Sequence, residues 1–324
     1  MQGVEKLRCS FIGLGRIASL LEDDPLREKP CTHAGAVSAN PDCVITGGCD
    51  NVRERRDLFS GRWGCPVFDN PVEMLEKTDP DIVFIATHPD SHLEMTQYAI
   101  EKGVKVIVCE KPLADTLKKS REISSCHEKG LSKIITNHER RYSEDYILAK
   151  KRIEERTYGD LLSVSAFLYM GKNKRIIDVM WHDGTHLADA VMFLTGCGLK
   201  RKKITGRLGS KTGTVHISAE AGKVPVLIQC GAGRDHLVFS FELSFESGMI
   251  RIGNGIYEEW ISGESPYYSG FMSLIKKETP VLEKTGYFKN MVKDAVRAAR
   301  EPDYNPVSTA VDGYRAVKFL SSLK

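Results

Sequence analysis

The first part of the chain alternates short apolar runs with helix-like stretches. The apolar runs have the length and composition of strands and lie at Leu7–Ile12, Cys43–Cys49, Asp81–Ala86, Val104–Cys109 and Ser132–Thr136. The helix-like stretches between them include Arg53–Phe59, Ser91–Lys102 and Leu117–Lys129. Gly103 and Gly130 stand where helix C-caps are expected. This alternation of strand and helix predicts an α/β domain with a doubly wound parallel sheet.

The pattern changes near Asn137. We predict a charged helix, a strand and a second helix at Ser143–Arg156, Leu161–Tyr169 and Asp183–Leu194, with Gly196 closing the last. From Arg201 to Trp260, long alternating runs broken by glycine turns predict a large, mostly antiparallel sheet. Two final helices are predicted near Gly286–Ala299 and Ser308–Ser322. We therefore predict one domain at residues 1–136 and an α+β domain with one open sheet at residues 137–324.

The composition of the chain argues against a nucleic-acid-binding, membrane or secreted protein. The 324 residues include 46 Lys and Arg against 43 Asp and Glu, a formal charge of +3, which provides no basic field for nucleic acid. No apolar stretch approaches the ~18 residues of a membrane span, and the first residues lack a secretory apolar region. The nine cysteines form no Cys-x-x-Cys pair and predict reduced, buried thiols. We expect a cytoplasmic protein with neither nucleic-acid nor membrane partners.

A glycine turn follows the first predicted strand. In Gly13-x-Gly15-x-x-Ala18, the first glycine allows the tight turn and the second allows close approach of a pyrophosphate. The small third residue permits close packing of helix on strand. The turn predicts dinucleotide binding by Gly13, Gly15, Arg16 and Ile17. The alternative is a glycine turn in an unrelated α/β protein.

Asp50 ends the second predicted strand and is the candidate acceptor for the adenosine ribose hydroxyls. Its carboxylate would repel a 2′-phosphate, so we predict NAD as the cofactor, with NADP less favoured. Arg53 and Arg55 lie close to Asp50 in sequence, and their positive charge would weaken the preference for NAD over NADP. Asp50 lies farther from the glycine turn than the usual ~20 residues, because the polar stretch Glu22–Thr32 resembles an insertion that interrupts the first helix.

Two further motifs follow later strands. Thr87, His88 and His92 come after the strand at Asp81–Ala86, where Asp90 or Ser91 is an alternative helix cap. Glu110 and Lys111 come after the strand at Val104–Cys109 and precede a proline. Ligands of open parallel sheets collect outside the carboxyl ends of the strands. A positioned Lys111 ammonium would stabilise alkoxide character during hydride transfer; the alternative is a surface cation.

A histidine cluster lies at the start of the helix predicted at Asp183–Leu194. His182 and His186 are four residues apart and would share a helix face, and Asp183 and His186 are three apart. A histidine beside a carboxylate is a plausible general base for an alcohol proton. A metal would need a third ligand that the pattern does not supply, so we predict none. The alternative is a capping Asp183 with incidental histidines.

Together these motifs resemble the glucose-fructose oxidoreductase, inositol dehydrogenase and rhizopine-catabolism (Gfo/Idh/MocA) family of NAD(P)-dependent oxidoreductases. Arg140-Arg141-Tyr142 and Gly159-Asp160-Leu161 extend the resemblance over nearly the whole chain. It implies an N-terminal Rossmann domain and a C-terminal domain whose open sheet mediates a homodimer or homotetramer. It also implies that Lys111 and His186 flank the reacting carbon. The candidate substrate-binding residues are Arg141, Tyr142, Lys174 and His182.

The sequence departs from the family pattern Asp-x-Gly-x-His. His182 stands at the place of the acid, and Asp183 follows it. The basic stretch Gly171–Arg175, which replaces a glycine-rich one, would hold an anionic substrate or form a solvated turn. We expect an NAD-dependent dehydrogenase, a CH–OH oxidoreductase acting on a sugar, polyol or nucleotide sugar. The alternatives are a catalytically silent dinucleotide-binding regulator and a reductase like biliverdin reductase or dihydrodiol dehydrogenase.

Overall fold

The computed structural model describes residues 5–282 and 287–323 of the chain. The chain divides into two compact units. The first comprises Met1–Tyr142 and Thr285–Val317, and the second comprises Ser143–Lys284 and Lys318–Lys324. Each unit is built around one sheet.

The first unit contains a six-stranded parallel sheet, which confirms the predicted doubly wound α/β fold. Its strand order is β3-β2-β1-β4-β5-β6, and every neighbouring pair is parallel. The strands are β1 (Leu7–Ile12), β2 (Cys43–Cys49), β3 (Val67–Phe68), β4 (Ile82–Ile85), β5 (Val106–Cys109) and β6 (Lys133–Thr136). The order reverses between β1 and β4, and ligands of such sheets bind outside the carboxyl ends of the strands there.

Helices connect these strands at α1 (His33–Ser38), α2 (Arg53–Trp63), α3 (Pro71–Thr78), α4 (His92–Glu101) and α5 (Leu117–Glu128). Strand β3 and helix α3 were not predicted from the sequence. The strand has only two residues, too few for a visible alternation. The helix carries a recognisable start signal, because Asn70 caps it by accepting hydrogen bonds from Val72 and Glu73.

The first helix is interrupted, as predicted. A 3-10 turn, Leu20–Asp23, ends the segment after the glycine turn, and α1 begins only at His33. Glu22 closes the intervening loop, since its Oε1 accepts hydrogen bonds from the Cys31 N–H (2.9 Å) and the Thr32 hydroxyl (2.8 Å). Thr32 then caps α1 by accepting from the Gly35 N–H at 3.1 Å. The insertion is therefore an ordered part of the first unit.

The second unit contains an eight-stranded sheet in the order β14-β13-β12-β11-β7-β10-β9-β8. Its strands are β7 (Leu161–Tyr169), β8 (Leu199–Thr205), β9 (Gly213–Ala221), β10 (Val224–Ala232), β11 (Val238–Phe245), β12 (Gly248–Gly253), β13 (Ile256–Glu264) and β14 (Met272–Lys276). Neighbours are antiparallel except β7 and β10, which are parallel. The predicted large, mostly antiparallel sheet is confirmed.

Three helices belong to this second unit: α6 (Glu144–Glu154), α7 (Ile176–His182) and α8 (Gly184–Thr195). Helix α7, which has seven residues, was not predicted from the sequence. Its buried positions Ile176, Val179 and Met180 have helical spacing, a signal too short to separate from a loop. Gly196 closes α8 in the left-handed conformation, with φ of 66°, as expected for a C-cap glycine.

Two more helices follow, α9 (Tyr287–Arg300) and α10 (Ala310–Ser321); Gly286, included in the predicted range, lies outside the described residues. One face of α9 enters the core of the first unit beside Phe11 and Phe84 and contributes Phe288, Met291, Val292 and Ala295. The first unit therefore includes a C-terminal segment that the sequence analysis assigned to the second domain. The domain limits 1–136 and 137–324 stay a prediction.

None of the helices in the described ranges combines the length and apolar character needed to cross a membrane.

Candidate dinucleotide-binding and catalytic residues

The glycine turn after β1 forms a tight cradle. Gly13 has φ of 88°, and a Cβ placed on it would lie 2.7 Å from both the carbonyl carbon and oxygen of Ala86. Only glycine fits this position. Gly15 is open by contrast, because the nearest atom to a Cβ there would be Arg55 Nη1 at 4.0 Å. Of the two neighbours predicted to bind the dinucleotide, Arg16 is exposed and Ile17 is half-buried. The turn therefore has the shape that a dinucleotide pyrophosphate requires.

Asp50 is held against this turn. Its side chain is 4% exposed, and its two oxygens accept hydrogen bonds from the N–H groups of Leu14 (2.8 Å) and Val52 (2.9 Å). Arg55 Nη1 lies 3.5 Å from the carboxylate, whereas Arg53 pairs with Asp57 on the exposed face of α2. Asp50 therefore stabilises the glycine turn, a role that the sequence did not reveal. Its contact with ribose stays a prediction.

The loop after β4 is tied to the loop after β5 by His92. This histidine is fully buried, and its ring nitrogens lie 3.2 Å from the carbonyl oxygens of Thr87 and Leu113. Burial lowers the pKa of His92. His88 is exposed. Ser91 occupies the N-cap position of α4 without capping it, because its hydroxyl donates to the Thr87 hydroxyl instead.

Glu110 lies at the carboxyl end of β5, with its side chain turned into the protein. Its Oε1 accepts from Asn137 Nδ2 at 2.6 Å and lies 2.7 Å from His33 Nε2. Its Oε2 accepts from the Lys111 N–H at 3.1 Å. Burial alone would raise the pKa of Glu110, but the hydrogen bond and charge of His33, with Lys111 and Asn137, lower it to about 2. Lys111 itself is half-buried.

Arg141 and Tyr142, the predicted substrate-binding pair after β6, make contacts within the first unit. Arg141 donates to the Val307 carbonyl at 3.1 Å and forms an ion pair with Asp312 at 3.1 Å. The Tyr142 hydroxyl donates to Asp294 at 2.8 Å. These contacts fix the C-terminal segment of the unit. Substrate binding by the two residues stays a prediction.

In the second unit, the predicted single helix face of His182 and His186 is wrong. Helix α7 ends at His182 and α8 begins at Gly184, so Asp183 separates the two histidines. His186 is half-buried in the first turn of α8. His182 Nδ1 lies 2.9 Å from Asp183 Oδ2, and the His182 side chain is 65% exposed.

Asp183 stands at the N-cap position of α8, but its side chain makes no capping hydrogen bond. Its Oδ2 lies 2.9 Å from His182 Nδ1. Asp183 therefore stands where a capping residue would stand, as predicted. The capping hydrogen bond that this prediction implied is not formed by its side chain. The predicted substrate residue Lys174 is exposed in the loop before α7.

Two residues beside Glu110, His33 and Asn137, were not predicted from the sequence. Both are buried and both contact Glu110. The only sequence signal for His33 is its place at the helix start after the insertion, which says nothing about its partner. Within residues 5–282 and 287–323, no group of three or more His, Cys, Asp or Glu side chains is arranged to hold a metal ion.

Comparisons with known proteins show what this chain is similar to. Residues 7–138 match the model of the Gfo/Idh/MocA oxidoreductase family, with its NAD-binding Rossmann fold. The D-glucoside 3-dehydrogenase of Escherichia coli (strain K12) is 25% identical over 207 residues, which cover 59% of this chain and 54% of that protein. The inositol 2-dehydrogenase of Rhizobium meliloti (strain 1021) is 25% identical over 160 residues, covering 49% and 44%.

The chain thus spans about half the length of these curated relatives. The solved structure of UDP-N-acetylglucosamine 3-dehydrogenase from Acidithiobacillus ferrooxidans superposes with a TM-score of 0.76 at 16% identity, covering 98% of this chain and 96% of that one. At this identity the likeness concerns the fold alone. Residues 7–138 thus match the Gfo/Idh/MocA family of oxidoreductases, which confirms the resemblance that the motifs predicted.

Proposed function

We propose that this protein is an NAD-dependent oxidoreductase that transfers hydride between nicotinamide and a secondary hydroxyl or keto carbon of a sugar, polyol or nucleotide sugar. One observation carries the proposal. The Gly13 turn, the Thr87 loop and Lys111 follow β1, β4 and β5, three neighbouring strands of one parallel sheet. A dinucleotide cradle and a half-buried lysine therefore lie along the same carboxyl edge.

The substrate class is supported by the relatives. One is named for D-glucosides and another for inositol, and both compounds carry several secondary hydroxyl groups. The exposed Lys174 and His182 provide hydrogen-bond donors suited to hydroxyl or phosphate oxygens. We therefore propose an uncharged sugar or polyol as the substrate, with a nucleotide sugar as the anionic variant of the same class.

The residues have distinct proposed roles. Bound nicotinamide supplies the hydride acceptor. The Lys111 ammonium stabilises the oxygen of the reacting carbon as negative charge develops on it. His186 accepts the proton of the substrate hydroxyl, and the carbon that bears this hydroxyl loses a hydride, so the secondary alcohol becomes a ketone. His182 binds substrate hydroxyls, and Asp183 orients the His182 ring through their 2.9 Å contact.

The proposed cofactor is NAD(H). Support comes from Asp50, whose carboxylate lies beside the glycine turn and would repel a 2′-phosphate. The predicted contacts of Thr87, His88, His92 and Glu110 with the cofactor remain part of this proposal. The buried His92 and Glu110 would act by shaping the loops, since their polar atoms already contact protein groups.

We also propose that the protein forms a homodimer or homotetramer through the sheet of the second unit. The proposal is supported by apolar side chains that strands β10 and β14 expose. Leu227 is 37% exposed, Leu274 50% and Met272 63%. Light scattering of the native protein and of a variant with Leu274→Glu tests this assembly.

The function is tested with the purified full-length chain, NAD⁺, and a panel of polyols, sugars and nucleotide sugars, followed through the absorbance of NADH. Lys111→Met should lower kcat by about 100-fold, the scale of losing one preorganised electrostatic donor. NADH affinity should change little. Lys118→Met, on the exposed face of α5, is the matched control. Turnover that survives Lys111→Met within a few-fold contradicts the role of Lys111.

A panel without any turnover, combined with tight NADH binding, would favour the alternative of a catalytically silent regulator.

A further inference from the structure

We propose that His33, Glu110 and Asn137 form a buried positioning cluster that fixes the orientation of Lys111, and that His33 acts on turnover through Glu110 without touching substrate or cofactor. This inference rests on the proposed function of Lys111. It gives a role to His33 and Asn137, which lie outside the sequence motifs. It also gives the insertion before α1 a functional consequence.

The cluster joins three parts of the first unit. His33 is the first residue of α1, Glu110 follows β5, and Asn137 follows β6. Glu110 is also fixed through its backbone, because its N–H donates to the Ile85 carbonyl at 2.9 Å. The Asn137 N–H similarly donates to the Cys109 carbonyl at 2.8 Å. The carboxylate is thus the meeting point of a helix start and two strand ends.

His33 is held rigidly. It is 1% exposed, and its ring packs edge-on against Phe288, with centroids 5.2 Å apart. Its backbone N–H donates to the Ile17 carbonyl at 3.1 Å, which joins α1 to the segment after the glycine turn. Its Nδ1 is buried without a hydrogen-bond partner, so Glu110 is the only polar contact of the ring among the described residues. The hydrogen bond to the Glu110 carboxylate therefore sets the orientation of the His33 ring.

Glu110 transmits this constraint to Lys111. One carboxylate oxygen faces His33 and Asn137, and the other accepts from the Lys111 N–H at 3.1 Å. A carboxylate that accepts several hydrogen bonds stays ionised and fixed in orientation. The backbone from which the Lys111 side chain departs is then fixed as well. Loss of the His33 donor leaves a buried anion undersatisfied, and the carboxylate must shift or take up a proton.

Catalysis is sensitive to such shifts. A displacement of about 1 Å at a positioning group can lower the rate by about 100-fold. Binding of the dinucleotide is proposed to depend chiefly on the Gly13 turn, which other contacts fix: the Gly13 N–H donates to the Cys49 carbonyl at 2.8 Å, and the Leu14 N–H donates to Asp50 at 2.8 Å. Removal of the His33 donor should therefore lower kcat much more than it weakens cofactor binding. A residue with only a structural role would lower thermal stability without this separation.

The test compares three variants of the full-length protein. His33→Leu removes the donor at similar volume, and His33→Gln keeps a side-chain N–H donor. His127→Leu, at a half-buried histidine of α5 that accepts a hydrogen bond from Ile134, is the matched control. For each we would measure kcat, KM, the Kd for NADH and Tm. The resonance of the Lys111 amide proton in ¹⁵N-lysine-labelled protein reports the hydrogen bond to Glu110 without turnover.

We expect His33→Leu to lower kcat by about 10- to 100-fold and to move the Lys111 amide resonance. The Kd for NADH should stay within about threefold, and His33→Gln should recover most of kcat. His127→Leu should lower Tm while leaving kcat and the amide resonance unchanged. Should His33→Leu fail to fold, Asn137→Ala removes the second side-chain donor and is expected to have the same effects.

Unchanged kcat in folded His33→Leu, or a fall in kcat that His33→Gln does not reverse, would overturn the proposal. An unmoved Lys111 amide resonance would also overturn it. If the native protein turns over no substrate in the panel, the proposed function fails by itself, and the amide resonance alone then decides the positioning cluster.

Discussion

The backbone N–H of Leu14 donates a hydrogen bond of 2.8 Å to the carboxylate of Asp50. The bond joins the glycine turn after β1 to the end of β2, and the other oxygen of Asp50 accepts from the Val52 N–H at 2.9 Å. The carboxylate proposed to select NAD(H) is therefore also bonded to the turn that is proposed to hold the cofactor. Substitution of Asp50 would combine both effects, so the neighbouring Arg55 is the better probe of cofactor choice.

Arg55→Ala should weaken NADPH binding by about tenfold and leave NADH binding nearly unchanged. The Arg55 side chain is 45% exposed and lies beside both Gly15 and Asp50. A guanidinium there offers a bidentate partner to a 2′-phosphate, a contact worth roughly 1.5–3 kcal/mol. Titration of the protein with both reduced cofactors measures the change.

Arg53→Ala is the matched control for cofactor choice, because Arg53 is 82% exposed and pairs with Asp57. Tighter binding of NADPH than of NADH by the native protein would contradict the proposed cofactor. An unchanged ratio of the two affinities in Arg55→Ala would show that Arg55 has no part in the choice.

Gly13→Ala should abolish dinucleotide binding and lower Tm by several degrees. The added methyl would meet the Ala86 backbone at 2.7 Å, and the residue would have to keep φ of 88°. Left-handed backbone of this kind costs roughly 1 kcal/mol or more for a non-glycine residue, before the clash is counted. Thermal unfolding and NADH titration measure the two effects.

Gly61→Ala provides the opposite case. Gly61 lies within α2, and a Cβ there would have no atom within 4 Å. Replacement of a mid-helix glycine by alanine stabilises the folded protein by roughly 0.5–1 kcal/mol.

A folded Gly13→Ala variant with native NADH affinity would disprove the close approach of the turn to the Ala86 backbone.

The buried Glu110 should make the protein sensitive to acid. Its pKa falls from an ordinary 4.5 to about 2 in the folded state. The folded state therefore binds fewer protons than the unfolded state between these values, and stability is lost as the pH falls from about 4.5 toward 2. A shift of this size corresponds to about 3 kcal/mol. The free energy of unfolding should thus fall less steeply with acid in Glu110→Gln than in the native protein.

Glu54→Gln is the control for acid sensitivity, because Glu54 is exposed in the first turn of α2. Urea unfolding at a series of pH values gives the slopes. Equal slopes for native protein and Glu110→Gln would mean that Glu110 is not held ionised by His33 and Asn137.

Local sequence patterns were sufficient for most of the fold. Strands β1, β2 and β7 have the predicted bounds, because each is an apolar or alternating run between clear turn residues. The glycine turn and Lys111 were found because their spacing from strand ends is local. The same reasoning failed for α7, which is too short for its periodicity to stand out, and it merged His182 with the helix that follows it.

Contacts between residues far apart in the chain could not be predicted from the sequence. His33 and Glu110 are far apart in sequence, and nothing near either residue indicates that their side chains meet at 2.7 Å. The contribution of α9 to the first unit was missed for the same reason, since an apolar helix face does not reveal which sheet it covers. The double role of Asp50 also depends on a distant partner, the Leu14 N–H.

The histidine substitutions should follow a definite order. His186 keeps the family spacing from Gly184, is half-buried at the start of α8, and is the proposed proton acceptor. His186→Ala should therefore lower oxidation by about 10²- to 10⁴-fold, the usual contribution of general base catalysis. The pH–rate profile of the native protein should show a limb for the general base that is absent from this variant. His216→Ala, at an exposed histidine of β9, is the matched control.

His182→Ala should raise KM and lower kcat moderately, because the exposed His182 is proposed to bind substrate hydroxyls without taking the proton. Asp183→Asn should have a small effect on both kcat and Tm. The Asp183 side chain makes no capping hydrogen bond, and an amide oxygen can still accept from His182 Nδ1 across the present 2.9 Å. If Asp183→Asn instead abolishes turnover while fold and cofactor binding stay intact, Asp183 has kept the catalytic role of the family's acid despite its shifted place.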